Sequence, residues 1–119
     1  MTTKLNPNEF QALQAFLQRL EHTYPEQRPR FMLYGSKARG DSTADSDIDV
    51  LVLLRQEDRA VRRDILTIAA RVSLEYDVLL NPCVIGEVRF SQQRDFSFYR
   101  NATKDGVPLA LEGERLVLA

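Results

Sequence analysis

A chain of 119 residues with 44% hydrophobic and 28% charged residues has the size and composition of one globular domain. Lys and Arg number 16 against 17 Asp and Glu, so no bulk positive charge indicates direct nucleic-acid binding. The single Cys83 excludes an internal disulfide and a cysteine zinc site, and is expected to be a small buried hydrophobe. No apolar run approaches the roughly 18 residues that span a bilayer, and the polar N-terminus lacks a signal-peptide core. These features favour a cytoplasmic protein without membrane contact.

The N-terminal segment has the pattern of an amphipathic helix over residues 7–23. Asn6 can cap this helix and Pro7 suits its first position. Apolar residues then recur at helical spacing, namely Phe10, Leu13, Leu17 and Leu20. His22, the only histidine, falls at the helix end, where we expect a surface residue or weak C-cap rather than a catalyst.

Two predicted strands follow, with a polar loop between them. Residues 30–34 and 47–54 are short apolar, β-prone runs. In the second run, Asp47 and Asp49 lie two positions apart and therefore share one face of the strand. Asp is depleted in strands, and a carboxylate near a core is costly unless it is paired or metal-bound. The strand is thus expected to begin at a functional site.

The rest of the chain predicts further helices and a third strand. A helix is expected over residues 57–74, a strand over residues 76–85, and a last helix from near Ser91 to a turn at residues 104–106. The tail from residue 107 is compatible with a short strand, a packed arm or a partner interface. Together these segments predict a single domain over residues 1–119, of the α/β (or α+β) class, with a small mixed sheet flanked by helices.

The acidic residues suggest a metal site. Side chains two apart on a strand start from Cα atoms about 6.7 Å apart, so the carboxylates of Asp47 and Asp49 can converge on one point. Two such charges 4 Å apart repel by about 4 kcal/mol at an effective dielectric constant of 20. Asp77, expected at the start of the third strand, would add to this repulsion if it joined them. Hard oxygen ligands at this density select Mg²⁺ or Mn²⁺.

The loop before Asp47 suggests an anion site. Gly35 and Ser36 follow the first strand directly, and such a turn brings backbone N–H groups and a hydroxyl close to a phosphate. Arg39 adds positive charge, and Lys37 is equally compatible with phosphate or solvent. Two other loop acids, Asp41 and Asp45, are expected to make local turn hydrogen bonds. Four arginines on the second helix favour a solvated face over a docking surface, namely Arg59, Arg62, Arg63 and Arg71.

Gly35-Ser36, ten residues and then Asp47-x-Asp49, with Asp77 beyond, resembles the signature of the DNA polymerase β-like nucleotidyltransferase superfamily. Within it, Gly-Ser-x-Ala-Arg-Gly followed by Ser-Asp-Ile-Asp in a short chain resembles the minimal nucleotidyltransferases, the MNT or MntA-type antitoxins. The resemblance covers roughly residues 30–85.

The resemblance implies a role for each matching residue. Ser36 and the Gly35 backbone would bind the β and γ phosphates of a nucleoside triphosphate, with Arg39 and Lys37 as further contacts. Three carboxylates would be catalytic and would hold two Mg²⁺ ions, namely Asp47, Asp49 and Asp77. Asp77 would also help to accept the proton of the incoming hydroxyl.

The resemblance also implies an activity and a partner. Members of this family transfer AMP from ATP to a hydroxyl and release pyrophosphate, and MNT proteins adenylylate a tyrosine of a HEPN-domain ribonuclease toxin (AMPylation). Only about 34 residues follow Ile85, so the acceptor is expected to be held by a partner protein. Two alternatives remain: an inactive antitoxin that neutralises the toxin by binding, and, less favoured, a small-molecule adenylyltransferase.

Overall fold

The predicted order of helices and strands is largely that of the computed structural model, which describes residues 4–41, 43 and 46–118. The helices are α1 (Pro7–Thr23), α2 (Gly35–Arg39), α3 (Arg59–Tyr76), α4 (Glu87–Gln93) and α5 (Ser97–Lys104), with a single 3₁₀ turn at Pro25–Gln27. The strands are β1 (Arg30–Tyr34), β2 (Ile48–Leu54), β3 (Leu80–Gly86), β4 (Val107–Glu112) and β5 (Arg115–Leu118).

Helix α1 begins and ends where its sequence predicts. The Asn6 side chain accepts a hydrogen bond from the Glu9 N–H at 2.7 Å, and the Asn6 N–H donates to Glu9 Oε1 at 3.0 Å. This reciprocal capping box satisfies two N–H groups that would otherwise lack partners at the start of the helix. His22 is exposed and pairs with Glu114, so its predicted surface position is confirmed.

The strands form one mixed sheet in the order β3-β2-β1-β4-β5. Only the β2–β3 pair is parallel; the β1–β2, β1–β4 and β4–β5 pairs are antiparallel. Strand β3 lies at one edge and has Pro82 in its middle. Because proline lacks an N–H group, an edge is the position in a sheet that tolerates it.

Helices α1 and α3 cover one face of the sheet and enclose the main core. Phe16, Leu17 and Leu20 from α1 and Ile65 and Val72 from α3 are at most 1% exposed. The sheet contributes alternate residues to this core, including Phe31, Leu33, Ile48, Val50, Val52 and Leu54. The opposite face of β2 therefore carries Asp49, Leu51 and Leu53, as the strand alternation predicts.

Three local predictions need correction, and the alternatives left open for the tail are resolved. The third strand starts at Leu80, not near Asp77, because α3 continues to Tyr76 and Asp77 caps it in a left-handed conformation (φ 53°). Part of the polar loop, Gly35–Arg39, is a short helix. The expected last helix is two helices, α4 and α5, and the tail forms the hairpin β4–β5. The prediction for Asp45 lies outside the described residues.

A buried ion pair joins α1 to α2. Lys37 Nζ lies 2.6 Å from Glu9 Oε2, and the side chains are only 3% and 7% exposed. The second oxygen of Glu9 serves in the capping box of α1, so one carboxylate holds both the start of α1 and the lysine of α2. A backbone hydrogen bond from the Lys4 N–H to the Lys37 carbonyl, 2.8 Å long, adds a second connection.

Within the described part of the chain, none of the helices combines the length and apolar character that a bilayer crossing requires.

Replacing Lys37 with Met should lower the free energy of unfolding by about 3–5 kcal/mol, because it leaves the Glu9 carboxylate buried without a partner. Adding Glu9→Gln should recover much of this loss, since glutamine at this position keeps the capping box. Urea unfolding followed by circular dichroism measures both effects.

The matched control is Arg19→Met, which breaks an exposed ion pair with Glu75 and should change stability little. Equal losses for Lys37→Met and Arg19→Met would contradict a structural role for the buried pair.

Candidate active site

Three side chains form a row across the sheet, on the face opposite α1 and α3. Tyr34 on β1 pairs with Asp49 on β2, and Asp49 pairs with Asn81 on β3. The Asn81 amide Nδ2 donates to Asp49 Oδ1 at 2.9 Å. Asp49 is therefore the central residue of the row, held from one side by a carboxamide and flanked on the other by a phenol ring.

Gly35 brings the start of α2 against this row. Its φ of 75° lies in the left-handed region that favours glycine. A Cβ at this position would collide with the Asp49 carboxylate, since it would lie 3.2 Å from Cγ and closer still to Oδ2. The first N–H groups of a helix have no intrahelical partner, and the absence of a side chain at Gly35 lets them lie close to Asp49. A phosphate at these donors and the Asp49 carboxylate would repel each other unless a cation lay between them.

The two carboxylates of β2 influence each other. Burial raises the pKa of Asp49, and the negative charge of Asp47 raises it further. The hydrogen bond from Asn81 and the positive charge of Arg39 both lower this pKa. Asp47 and Asp49 are both half-buried. A cation between them would relieve the cost of keeping Asp49 charged in this environment.

The basic residues of the Gly35–Arg39 segment occupy different environments. Arg39 is exposed, and its Nε donates to Asp41 Oδ2 at 3.2 Å, which matches the local contact expected for Asp41. Lys37 was expected to face either a phosphate or solvent. It does neither, because its ammonium group is buried against Glu9. The structure therefore assigns Lys37 to the core, and Arg39 is the cation of this segment available for a phosphate. Ser36 is half-buried in α2 beside Gly35.

The structure does not bring Asp77 to the other two carboxylates. Asp77 caps α3, and among the described residues no three His, Cys, Asp or Glu side chains are grouped to hold a metal ion. Asn81 takes the position beside Asp49 on the third strand. The predicted strand over residues 76–85 includes Asn81, but the third position of the site was assigned to Asp77 because a third carboxylate was expected there. Pro82 is the available signal, since the residue before a proline is biased toward extended backbone.

The residues present still suit a divalent cation. Asp49 offers hard carboxylate oxygens beside Gly35, and Asp47 lies close enough for its charge to raise the pKa of Asp49. Mg²⁺ in proteins is commonly bound by one or two carboxylates together with substrate phosphates and water. A phosphate held near Gly35 would supply the remaining oxygens, so a third carboxylate is not required for binding.

Comparison with known proteins identifies the family of this chain. Residues 13–109 match the nucleotidyltransferase domain family. The protein named "Putative protein adenylyltransferase MJ0604" from Methanocaldococcus jannaschii is 32% identical over 99 residues, which cover 83% of this chain and 95% of the relative. "Putative protein adenylyltransferase MJ0141" from the same organism is 43% identical over 56 residues, which cover 46% and 57%, respectively. The chain therefore belongs to the nucleotidyltransferase domain family and is a minimal nucleotidyltransferase of the DNA polymerase β-like superfamily.

Proposed function

We propose that the protein is a metal-dependent protein adenylyltransferase that modifies a tyrosine of a HEPN-domain ribonuclease toxin and so acts as the antitoxin of an MNT/HEPN pair. The close approach of the Gly35 backbone to the Asp49 carboxylate carries the proposal, because it joins a phosphate-binding element to a metal-binding one. The names of the two relatives support a protein acceptor. The resemblance to MNT antitoxins supports the toxin partner and a cytoplasmic location.

Each part of the site has a role in this reaction. The amide groups at Gly35 and Ser36 bind the β and γ phosphates of ATP, with Arg39 beside them. Asp47 and Asp49 would hold Mg²⁺, which when bound would supply positive charge to neutralise phosphate and to make the acceptor hydroxyl more acidic. The tyrosine oxygen bonds to the α phosphorus and its proton passes to solvent. The bond from this phosphorus to the β-phosphate oxygen breaks, and pyrophosphate leaves.

Asn81 supports a tyrosine acceptor. A carboxamide at this position cannot take a proton as a carboxylate would. A phenol has an ordinary pKa near 10 and needs less help to ionise than an aliphatic hydroxyl. The pairing of Asn81 with Asp49 thus favours tyrosine over serine or threonine.

The same residue favours a second candidate, neutralisation of the toxin by binding alone. A site without its third carboxylate beside Asp49 is also what a nucleotidyltransferase fold retained only for binding would show. The two candidates differ in whether the toxin gains AMP.

Replacing Asp47 and Asp49 with Asn should reduce AMP transfer at least about a hundredfold while the fold is retained, because metal binding depends on both carboxylates. The assay incubates the protein with ATP, Mg²⁺ and a HEPN protein encoded beside it, and measures the mass of the toxin. EDTA should abolish the gain in mass.

Asp77→Asn is the matched control, since asparagine also tolerates a left-handed helix cap. It should leave transfer within about twofold; a loss as large as that of the double variant would restore Asp77 as the third ligand. A toxin that stays inhibited without gaining mass would instead establish the binding candidate.

Asn81→Asp should extend transfer to aliphatic hydroxyls. A carboxylate here can accept the hydroxyl proton, so the rate on a serine acceptor should rise about tenfold or more relative to the rate on tyrosine. Competition between tyrosine and serine peptides, followed by mass spectrometry, measures this ratio. An unchanged ratio would mean that Asn81 does not face the acceptor.

A further inference from the structure

A cleft of about 750 Å³ opens beside the row formed by Tyr34, Asp49 and Asn81. Its floor is the β3 segment from Asn81 to Ile85, and its far wall is the start of α3. Ligand sites in proteins commonly have volumes of about 300–1,000 Å³. The cleft shares Asn81 with the hydrogen bond to Asp49, so it leads directly to the candidate active site.

The floor of the cleft and the Gly35–Arg39 segment lie on opposite sides of Asp49. Gly35 follows β1, whereas the floor of the cleft is β3, and β2 lies between these two strands. In phosphoryl-type transfers the attacking and leaving oxygens are roughly in line through the phosphorus. With pyrophosphate held at Gly35, an attacking hydroxyl arrives from the side of β3.

Two cations in the cleft have no carboxylate partner within the described part of the chain. Arg89 pairs with Glu57 at 3.3 Å, and the Asp58 carboxylate caps α3 by accepting from the N–H groups of Ala60 and Val61. Arg59 and Arg62 also line the cleft, and no ion pair among the described residues includes either of them. A bound group that carries negative charge could form ion pairs with these two arginines.

The near wall of the cleft is aromatic. Tyr34 meets Phe98 edge-to-face with ring centroids 5.9 Å apart, and Phe98 meets Tyr99 in the same way at 5.0 Å. Phe98 is half-exposed although it is a large apolar residue. A phenol is uncharged at neutral pH and phenylalanine carries no charge, so these three rings form an uncharged wall. It offers an apolar surface for an amphipathic side chain of a bound peptide.

We propose that this cleft binds the acceptor polypeptide, with the acceptor tyrosine against Tyr34 and Phe98 and with neighbouring acidic residues on Arg59 and Arg62. The inference rests on the proposed function and adds to it the type of sequence that the enzyme selects. In the selected sequences, acidic residues flank the acceptor tyrosine and form ion pairs with Arg59 and Arg62.

Fluorescence anisotropy of labelled peptides tests this binding separately from transfer. The probes are a tyrosine flanked by two glutamates on each side and the same peptide with glutamine in place of glutamate. In the presence of a non-hydrolysable ATP analogue and Mg²⁺, the acidic peptide should bind at least about tenfold more tightly. Its affinity should fall as the salt concentration rises.

The double variant Arg59→Gln and Arg62→Gln should remove this preference and its salt dependence, and should leave the Kd for the ATP analogue within about twofold. The matched control, Arg63→Gln and Arg71→Gln, changes two exposed arginines of α3 that do not line the cleft, and should keep the preference. Equal peptide affinities in both double variants would overturn the inference. A loss of affinity for the ATP analogue in the first variant would overturn it as well, by assigning the cleft to the nucleotide.

The assay distinguishes this inference from the proposed function. Binding of the acidic peptide that depends on the two arginines, without AMP transfer to any tyrosine, would support the cleft and contradict the transferase activity. AMP transfer to acidic and neutral peptides with equal KM would support the activity and contradict the cleft.

Discussion

The buried ion pair between Lys37 and Glu9 fixes the position of the Gly35–Arg39 segment, on which the site depends. A buried charge is tolerated only when its partner is held in place, and here the partner also caps α1. The first turn of α1 and the short helix α2 therefore form one connected unit. Since a helix of five residues has little stability of its own, this connection and the burial of Ala38 keep Gly35 against Asp49.

The site divides its tasks among three neighbouring strands. β1 leads into the N–H groups that suit phosphate, β2 carries the two carboxylates, and β3 provides Asn81 and the floor of the cleft. Each strand is anchored on its other face by the core under α1 and α3. Donor and acceptor elements can therefore sit on either side of Asp49 without any part of the sheet having to move.

Local sequence patterns predicted most of the fold and pointed to Gly35 and Asp49, which the structure brings together. The helix over Pro7–Thr23 and the strand over Arg30–Tyr34 have clear caps, periodicity and flanking prolines, and both are confirmed. Asp47, Asp49 and Gly35 were identified from local spacing, and the structure brings Gly35 and Asp49 together. Their roles in metal and phosphate binding stay predictions.

The errors arose where a position depends on contacts distant in sequence. The start of β3 is set by its parallel register with β2, which no local pattern reveals, and in that register the residue paired with Asp49 is Asn81 and not Asp77. Lys37 is a surface residue by composition, and only the packing of α2 on α1 places it beside Glu9. Likewise, the tail becomes a hairpin because β4 has the free side of β1 to pair with.

The carboxamide at Asn81 also affects a reaction that the enzyme should avoid. Water is the commonest nucleophile near any bound nucleotide, and with a pKa of about 15.7 it is much harder to deprotonate than a phenol. A carboxylate at this position would assist water as readily as an acceptor, whereas Asn81 assists neither. Under the proposed function, a carboxamide rather than a carboxylate beside Asp49 would therefore limit wasteful hydrolysis of ATP before the acceptor binds.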